Sequence, residues 1–334
     1  MNEINSFAVI GAGAWGTALA QSLARAGREV ILWAREDDVC QTINKKHENT
    51  TYLPNIELDP SIKATQDFQD IIDRQAWLFV TPVQHTRKMA RHIATLNASK
   101  EIPLILANKG IEKDTLSFPS DIIAQELKGH PIAILSGPSF ASEVAKGQIT
   151  ALTLACADEA LGQNLCQAIS SRTLRPYAST DVIGAQIGGA IKNVMAIATG
   201  IAAGSGLGEN ARAALITRGL AEMMRLGRAM GAEKETLMGL SGLGDLILTC
   251  ASTTSRNMSL GYALGQGQSL ESILAERQTI AEGVPTAQAA AALAAQKGIE
   301  MPIVTAVQAI LQNKASVQDI IAALVDRPLK VERA

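Results

Sequence analysis

The sequence predicts an α/β domain on a doubly wound, mainly parallel sheet, followed by an all-α domain. Three observations carry this reading. Apolar runs of strand length alternate with helical segments through the first half of the chain. A glycine-rich turn joins the first run to a helix. Near Asp181 the pattern becomes almost wholly helical and rich in Ala, Leu and Gly.

Taken in order, 6–10 reads as a buried strand, 17–26 as a helix closed by Gly27, and 29–33 as the next strand. Further strands are expected over 76–82, ending at Pro82, then over 103–107 and 132–135, with weaker candidates at 151–156 and 174–177. Their near-continuous apolar character suits strands covered on both faces. In the second half, 286–296 reads as an Ala-dominated helix ending at Lys297-Gly298, and 316–325 as the last clear helix. No Pro/Gly/Ser linker separates the halves. A continuous helix is therefore expected to join a domain of residues 1–180 to one of 181–334.

Gly11-Ala12-Gly13-Ala14-Trp15-Gly16, directly behind Phe7-Ala8-Val9-Ile10, is the most informative stretch. Strand, glycine turn, helix and strand within about thirty residues make the context in which this pattern marks a Rossmann-type dinucleotide site. Gly11 permits the tight turn, Gly13 lets the backbone approach a pyrophosphate, and Gly16 lets helix and strand pack closely. The helix N-terminus then holds the anion. At the end of the second strand stand Arg35, Glu36 and Asp37. An Arg there accommodates the 2′-phosphate of NADP(H), so Arg35 favours that cofactor, while the following acids leave NAD(H) open. The alternative is a solvated charge run opening a helix.

Composition narrows the classes. The chain has 334 residues, 47% of them apolar and 19% charged, with a formal net charge of −2. No basic excess points to nucleic acid. No apolar stretch is expected to reach the length of a membrane span, and residues 1–5 carry no basic leader, so a cytoplasmic protein is expected. Four scattered cysteines and four histidines show no metal-ligand spacing, and no metal is expected.

In doubly wound sheets ligands bind beyond the carboxyl ends of the strands. The polar residues expected there are Thr81-Pro82, Asn108-Lys109-Gly110 and Ser136-Gly137-Pro138-Ser139. Lys192 is the most telling single residue, because 183–196 is otherwise nearly uncharged. An unpaired ammonium in a buried helix is costly. Gly184 and Gly188 precede it by eight and four positions, so one helix face is expected to be bare backbone beside the lysine. A lysine facing a ligand can give a proton to a carbonyl oxygen as hydride arrives and take it back in reverse. The competing reading is small-residue helix packing with Lys192 reaching outward.

Asn193 can orient a substrate or support the lysine, and Lys109 can add a second cation over an anionic substrate. Asp245, in a Gly-rich loop, reads either as a turn or cap residue or as the partner of a catalytic lysine. Ser252-Thr253-Thr254-Ser255-Arg256-Asn257 offers hydroxyls, a guanidinium and an amide at a helix start. It reads as a phosphate cradle or, alternatively, as a capping box beside a solvated Arg. Glu282 is a weaker candidate. Together these residues describe a nicotinamide oxidoreductase for a small phosphorylated carbonyl or alcohol.

The same residues resemble the bacterial NAD(P)-dependent glycerol-3-phosphate dehydrogenase family. Its marks stand as the 11–16 turn, Asn108-Lys109-Gly110-Ile111-Glu112, Ser136-Gly137-Pro138-Ser139-Phe140-Ala141, Ile191-Lys192-Asn193-Val194, Gly242-Leu243-Gly244-Asp245-Leu246, Ser255-Arg256-Asn257 and Glu282-Gly283. They cover nearly the whole chain in order. The resemblance implies a Rossmann domain followed by an all-helical domain. It also implies reduction of dihydroxyacetone phosphate to sn-glycerol 3-phosphate for phospholipid synthesis, with NADP(H) or NAD(H) as cofactor. By it, Lys192 is the proton donor/acceptor. Lys109, Gly137, Ser139, Lys192, Asn193, Asp245, Ser255, Arg256 and Asn257 contact substrate. Gly11, Gly13, Ala14, Trp15, Gly16, Arg35, Lys109, Ala141, Arg256, Ile280 and Glu282 contact the dinucleotide.

Hydroxyacid and 6-phosphogluconate dehydrogenases place Asn three or four positions after the catalytic lysine and Gly seven before it. Met195, Ala196 and Ala185 occupy those positions here, which argues against them. A non-catalytic NAD(P)-binding sensor would keep the glycine turn without needing a buried lysine. A homodimer through the helical domain is the expectation from the prevalence of twofold symmetry.

Overall fold

The computed structural model describes residues 3–96, 98–277 and 281–326. The chain divides into two compact units, Met1–Lys109 with Ser117–Ala185, and Gly110–Leu116 with Gln186–Ala334.

In the first unit the strands are β1 (Ser6–Ile10), β2 (Glu29–Trp33), β3 (Glu48–Asn49), β4 (Leu53–Glu57), β5 (Lys63–Thr65), β6 (Ala76–Phe79), β7 (Leu104–Leu106), β8 (Ile132–Ser136), β9 (Thr150–Cys156) and β10 (Leu174–Ser179). The helices between them are α1 (Ala14–Arg25), α2 (Asp37–Lys46), α3 (Val83–Ala94), α4 (Pro119–Glu126), α5 (Ala141–Ala145) and α6 (Glu159–Ile169). Eight strands form one sheet in the order β10-β9-β8-β7-β6-β1-β2-β5. Every pairing in it is parallel except β8 with β9.

From β1 the chain first runs outward through β2 to β5, then returns to β6 on the other side of β1 and continues to β8. The order therefore reverses between β1 and β6, and a ligand site is expected beyond their carboxyl ends. The sheet is doubly wound and mainly parallel, as the alternating apolar runs predict. Both faces are covered. Phe7, Val9, Leu32, Leu78 and Leu19 belong to one buried cluster, and Ile10, Trp77, Phe79, Leu104 and Ile93 to another. The antiparallel pair β3–β4 and the short edge strand β5 are not anticipated by the sequence reading. β3 and β5, of two and three residues, are too short to display a period of two, and β4 buries only Leu53 and Ile56, which does not alternate.

The second unit is helical. It takes all but the start of α7 (Val182–Gly204), followed by α8 (Gly208–Ala229), α9 (Lys234–Met238), α10 (Asp245–Ala251), α11 (Arg256–Gly265), α12 (Leu270–Ala275), α13 (Gly283–Gln296), α14 (Pro302–Leu311) and α15 (Val317–Val325). A π-helical turn, Leu240–Gly244, precedes α10. The change of unit falls inside α7, between Ala185 and Gln186, so no linker is present there.

α7 corrects one expectation. It is 23 residues long with a window of mean hydropathy 1.3, so by length and composition an apolar stretch of membrane-spanning size is present. In this fold 89% of that window is buried within the protein.

The glycines of α7 are used for packing. A Cβ on Gly200 or Gly204 would lie 2.2 or 2.1 Å from the carbonyl oxygens of Met258 and Tyr262. One on Gly261 or Gly265 would lie 2.1 or 2.3 Å from those of Ile197 and Ile201. α7 and α11 thus meet backbone to backbone. The expected bare face beside Lys192 is covered as well. Asp181 caps the Gly184 amide at 2.8 Å, and a Cβ on Gly188 would lie 2.2 Å from the Ser241 carbonyl oxygen.

Candidate functional site

The glycine turn fits a dinucleotide on its own geometry. Gly11 has φ +119°, a backbone conformation that disfavours any Cβ, and a side chain there would also press on the backbone of Val80 and Thr81. A Cβ on Gly16 would lie 1.9 Å from the Gly11 carbonyl oxygen, so only glycine lets α1 start this close to β1. Gly13 faces open space. It is the N-cap of α1 and contributes no side-chain cap, so the first-turn N–H groups have no capping partner from it, an arrangement that suits an anion.

Four buried polar atoms around the strand ends have no hydrogen-bond partner among the described residues: Trp15 Nε1, Thr81 Oγ1, Asn108 Oδ1 and Ser136 Oγ. Buried polar groups are normally paired, so such a group of atoms suits a polar ligand. Asn108 is held by donating to Thr86 Oγ1 at 2.8 Å. The ends of β7 and β8 are tied together, Lys109 Nζ donating to the Gly137 carbonyl at 3.0 Å and Ser139 Oγ to the same oxygen at 3.2 Å. Ala141 opens α5 just beyond.

Arg35 lies past the end of β2 with an exposed side chain, paired with Glu36. Its Nε donates to Glu36 Oε1 at 2.9 Å, and Tyr52 Oη donates to that oxygen at 3.3 Å. Burial, then the Glu36 charge, pushes the Tyr52 phenol up, which keeps it a donor.

In the second unit Lys192 and Asp245 are both buried, and Lys192 Nζ donates to Asp245 Oδ1 at 2.9 Å. Nζ also donates to Thr249 Oγ1 at 2.8 Å, and that hydroxyl donates to Asp245 Oδ1 at 3.1 Å. Of the two readings of Asp245, the lysine partner is the one observed. The π-helical turn delivers it. Gly242 has a backbone so close to the Leu237 carbonyl that a Cβ would stand 2.0 Å away, and Asp245 follows as the first residue of α10. An ammonium carries three donors. Two are taken here, and no described residue takes the third.

Asn193, the next residue on α7, accepts from Asn257 Nδ2 at 2.9 Å, while Asn257 Oδ1 accepts the Gly283 amide at 3.0 Å. Both amides therefore link α7, α11 and α13. Ser255 is the N-cap of α11, its Oγ accepting from the Met258 amide at 3.3 Å, so the capping reading of this residue is realised. Arg256 opens that helix and is exposed by surface area. Enough protein surrounds its guanidinium that desolvation lowers its pKa, with the Glu282 carboxylate opposing the shift. Arginine remains protonated regardless. Ile280 lies outside the described residues.

Thr249, Tyr52 and Arg277 are absent from the sequence reading. Thr249 stands four residues after Asp245, a helical spacing that would place it on the same face. Arg277 donates to the Arg256 carbonyl at 2.8 Å and to Ser259 Oγ at 3.1 Å, contacts that no local spacing signals. The four thiols are poor nucleophile candidates. Burial raises all of them, Cys166 to about 11 and Cys250 to about 12. Among the described residues no three His, Cys, Asp or Glu side chains group as a metal site.

Known proteins match both halves of this chain. Residues 6–162 match the sequence profile of the NAD-dependent glycerol-3-phosphate dehydrogenase N-terminus, and 181–322 that of its C-terminus. A glycerol-3-phosphate dehydrogenase (NAD(P)+) of Rhodospirillum rubrum is 54% identical over 334 residues, covering 99% of this chain and 95% of the relative. One from Maricaulis maris is 51% identical over the full length of both chains. The crystal structure of glycerol-3-phosphate dehydrogenase from Coxiella burnetii superposes with a TM-score of 0.92 at 38% identity, covering 97% of this chain and 99% of that one. With matches across both halves, this chain belongs to the NAD-dependent glycerol-3-phosphate dehydrogenase family.

Proposed function

We propose that this chain is an NAD(P)H-dependent oxidoreductase that reduces dihydroxyacetone phosphate to sn-glycerol 3-phosphate, reversibly, supplying glycerol phosphate for phospholipid synthesis. Residues 1–180 bind the dinucleotide, and 181–334 supply the substrate site and the proton. The observation that carries the reading is the buried Lys192–Asp245–Thr249 group, in which no described residue takes the ammonium's third donor.

A reduced nicotinamide, when bound, supplies the hydride. Lys192 Nζ gives its proton to the carbonyl oxygen as that oxygen gains charge, and recovers it in the reverse direction. Asp245 and Thr249 hold the ammonium in one orientation, so little reorganisation accompanies transfer. Asn193 fixes the α7 backbone beside the lysine through Asn257. Arg256, Ser255 and Asn257, at the start of α11, receive the substrate phosphate, where a guanidinium and helix N–H groups favour a dianion. Lys109, Gly137 and Ser139 border the substrate. Gly11, Gly13, Ala14, Trp15, Gly16, Arg35, Lys109, Ala141, Arg256, Ile280 and Glu282 contact the dinucleotide.

NADPH absorbance, followed in parallel with dihydroxyacetone phosphate, unphosphorylated dihydroxyacetone and no substrate, tests this. Oxidation with the phosphorylated ketone alone is the expected result. No oxidation while NADPH still binds would assign the chain a different substrate or a sensing role. We further place it in the cytoplasm as a homodimer through the helical unit, checked by cell fractionation and sedimentation velocity.

A further inference from the structure

The charged pair at the end of β2 bears on which dinucleotide is used, given the function proposed above. Arg35 sits where a 2′-phosphate would be received, yet its guanidinium is already committed to Glu36. Glu36 is not spent elsewhere. It is the N-cap residue of α2 but makes no side-chain cap. Its Oε1 instead takes Arg35 and Tyr52 together. The Arg35 carbonyl accepts from Gln66 Nε2 at 2.8 Å, which fixes the backbone under the pair. The next acid, Asp37, is occupied by Gln41 within α2, and Asp38 is exposed.

We propose that Glu36 is the specificity-determining residue for the dinucleotide, acting as an internal anion that competes with the 2′-phosphate for Arg35. A 2′-phosphate dianion must either displace the carboxylate from the guanidinium or lie beside it, and both oppose NADPH. A ribose diol carries no charge and donates to a carboxylate, so NADH meets Glu36 with no displacement. Arg35 attracts one cofactor and Glu36 the other. Their mutual pairing keeps the two affinities close, so that the chain accepts both.

The test titrates the wild type, Glu36→Gln, Arg35→Gln and the double variant with NADPH and NADH, following the fluorescence of the reduced nicotinamide. Glu36→Gln keeps the side chain's shape, removes its charge and lies at a half-exposed position. It should tighten NADPH, weaken NADH and move their affinity ratio by roughly fivefold or more. In the Arg35→Gln background the gain for NADPH should disappear, because the competition needs Arg35. Asp38→Asn, an equal charge change nearby, should leave the ratio alone. An unmoved ratio in Glu36→Gln, an equal gain without Arg35, or the same shift from Asp38→Asn would each overturn the proposal. Failure of the wild type to bind either dinucleotide would instead overturn the functional reading beneath it.

Discussion

A lysine and an aspartate that are both buried depend on each other. Removing one partner of such a pair leaves an uncompensated charge, at a cost of about 3–5 kcal/mol. Lys192→Ala should therefore both lower stability and cut turnover by about 10²–10⁴-fold, the usual size of a general-acid contribution, while NADPH still binds. Lys192→Ala with Asp245→Asn should recover stability in thermal melts without recovering turnover. Recovery of both would make the lysine structural. Arg256→Ala should raise KM for dihydroxyacetone phosphate by roughly tenfold to a hundredfold with a smaller effect on kcat. An unchanged KM would remove the guanidinium from the phosphate site. The sequence exposed Lys192 and Asp245 because each is a charge in an otherwise apolar or Gly-rich stretch, and Arg256 because it stands among hydroxyls at a helix start. Thr249, Tyr52 and Arg277 stayed hidden because a hydroxyl or an isolated Arg breaks no pattern. Their roles arise only from neighbours brought close by folding.

At the scale of elements, α3 and α4 are joined by Arg91 and Arg87, which bond Glu126 at 3.0 and 2.6 Å. Arg91 first, then Arg87, holds the Glu126 carboxyl below its ordinary value near 4.5. A carboxylate with a depressed folded pKa stabilises fully above its unfolded value and loses that contribution as pH falls through the folded one. Glu126→Gln should lower the melting temperature at neutral pH, with the difference from wild type shrinking as pH falls below about 4.5. A pH-independent difference would mean that lost packing, not charge, is responsible. Elements were legible where side-chain periodicity is long enough to read. The expected 286–296 helix is α13, begun three residues earlier at Gly283, and the 151–156 run is β9. β3 and β5, two and three residues long, are specified by pairing rather than by pattern.

For the whole molecule, the proposed dinucleotide site at the glycine turn lies in the first unit and the proposed proton donor in the second. Saturating NADPH should slow amide exchange across the first turn of α1 and leave α14 unchanged, and it should raise the melting temperature with concentration. Slowing spread evenly through both units would contradict a dinucleotide site centred on the glycine turn of α1. The all-helical half was legible as such, but the work of its glycines was not. Gly184 and Gly188 read as an open face and prove to be filled by Asp181 and by the Ser241 backbone. A sequence shows a missing side chain without showing what has come to lie in its place.

The seam between α7 and α11 therefore acts as a yardstick. One helix carries Lys192, the proposed proton donor, and the other begins with Arg256, the guanidinium proposed to receive phosphate. Their separation is set by main-chain atoms, whose dimensions no rotamer change can alter. Sequence drift elsewhere in the helical half can repack side chains and change overall stability. It cannot reset the spacing between these two helices, which the proposed substrate would have to bridge, unless one of four glycines is lost.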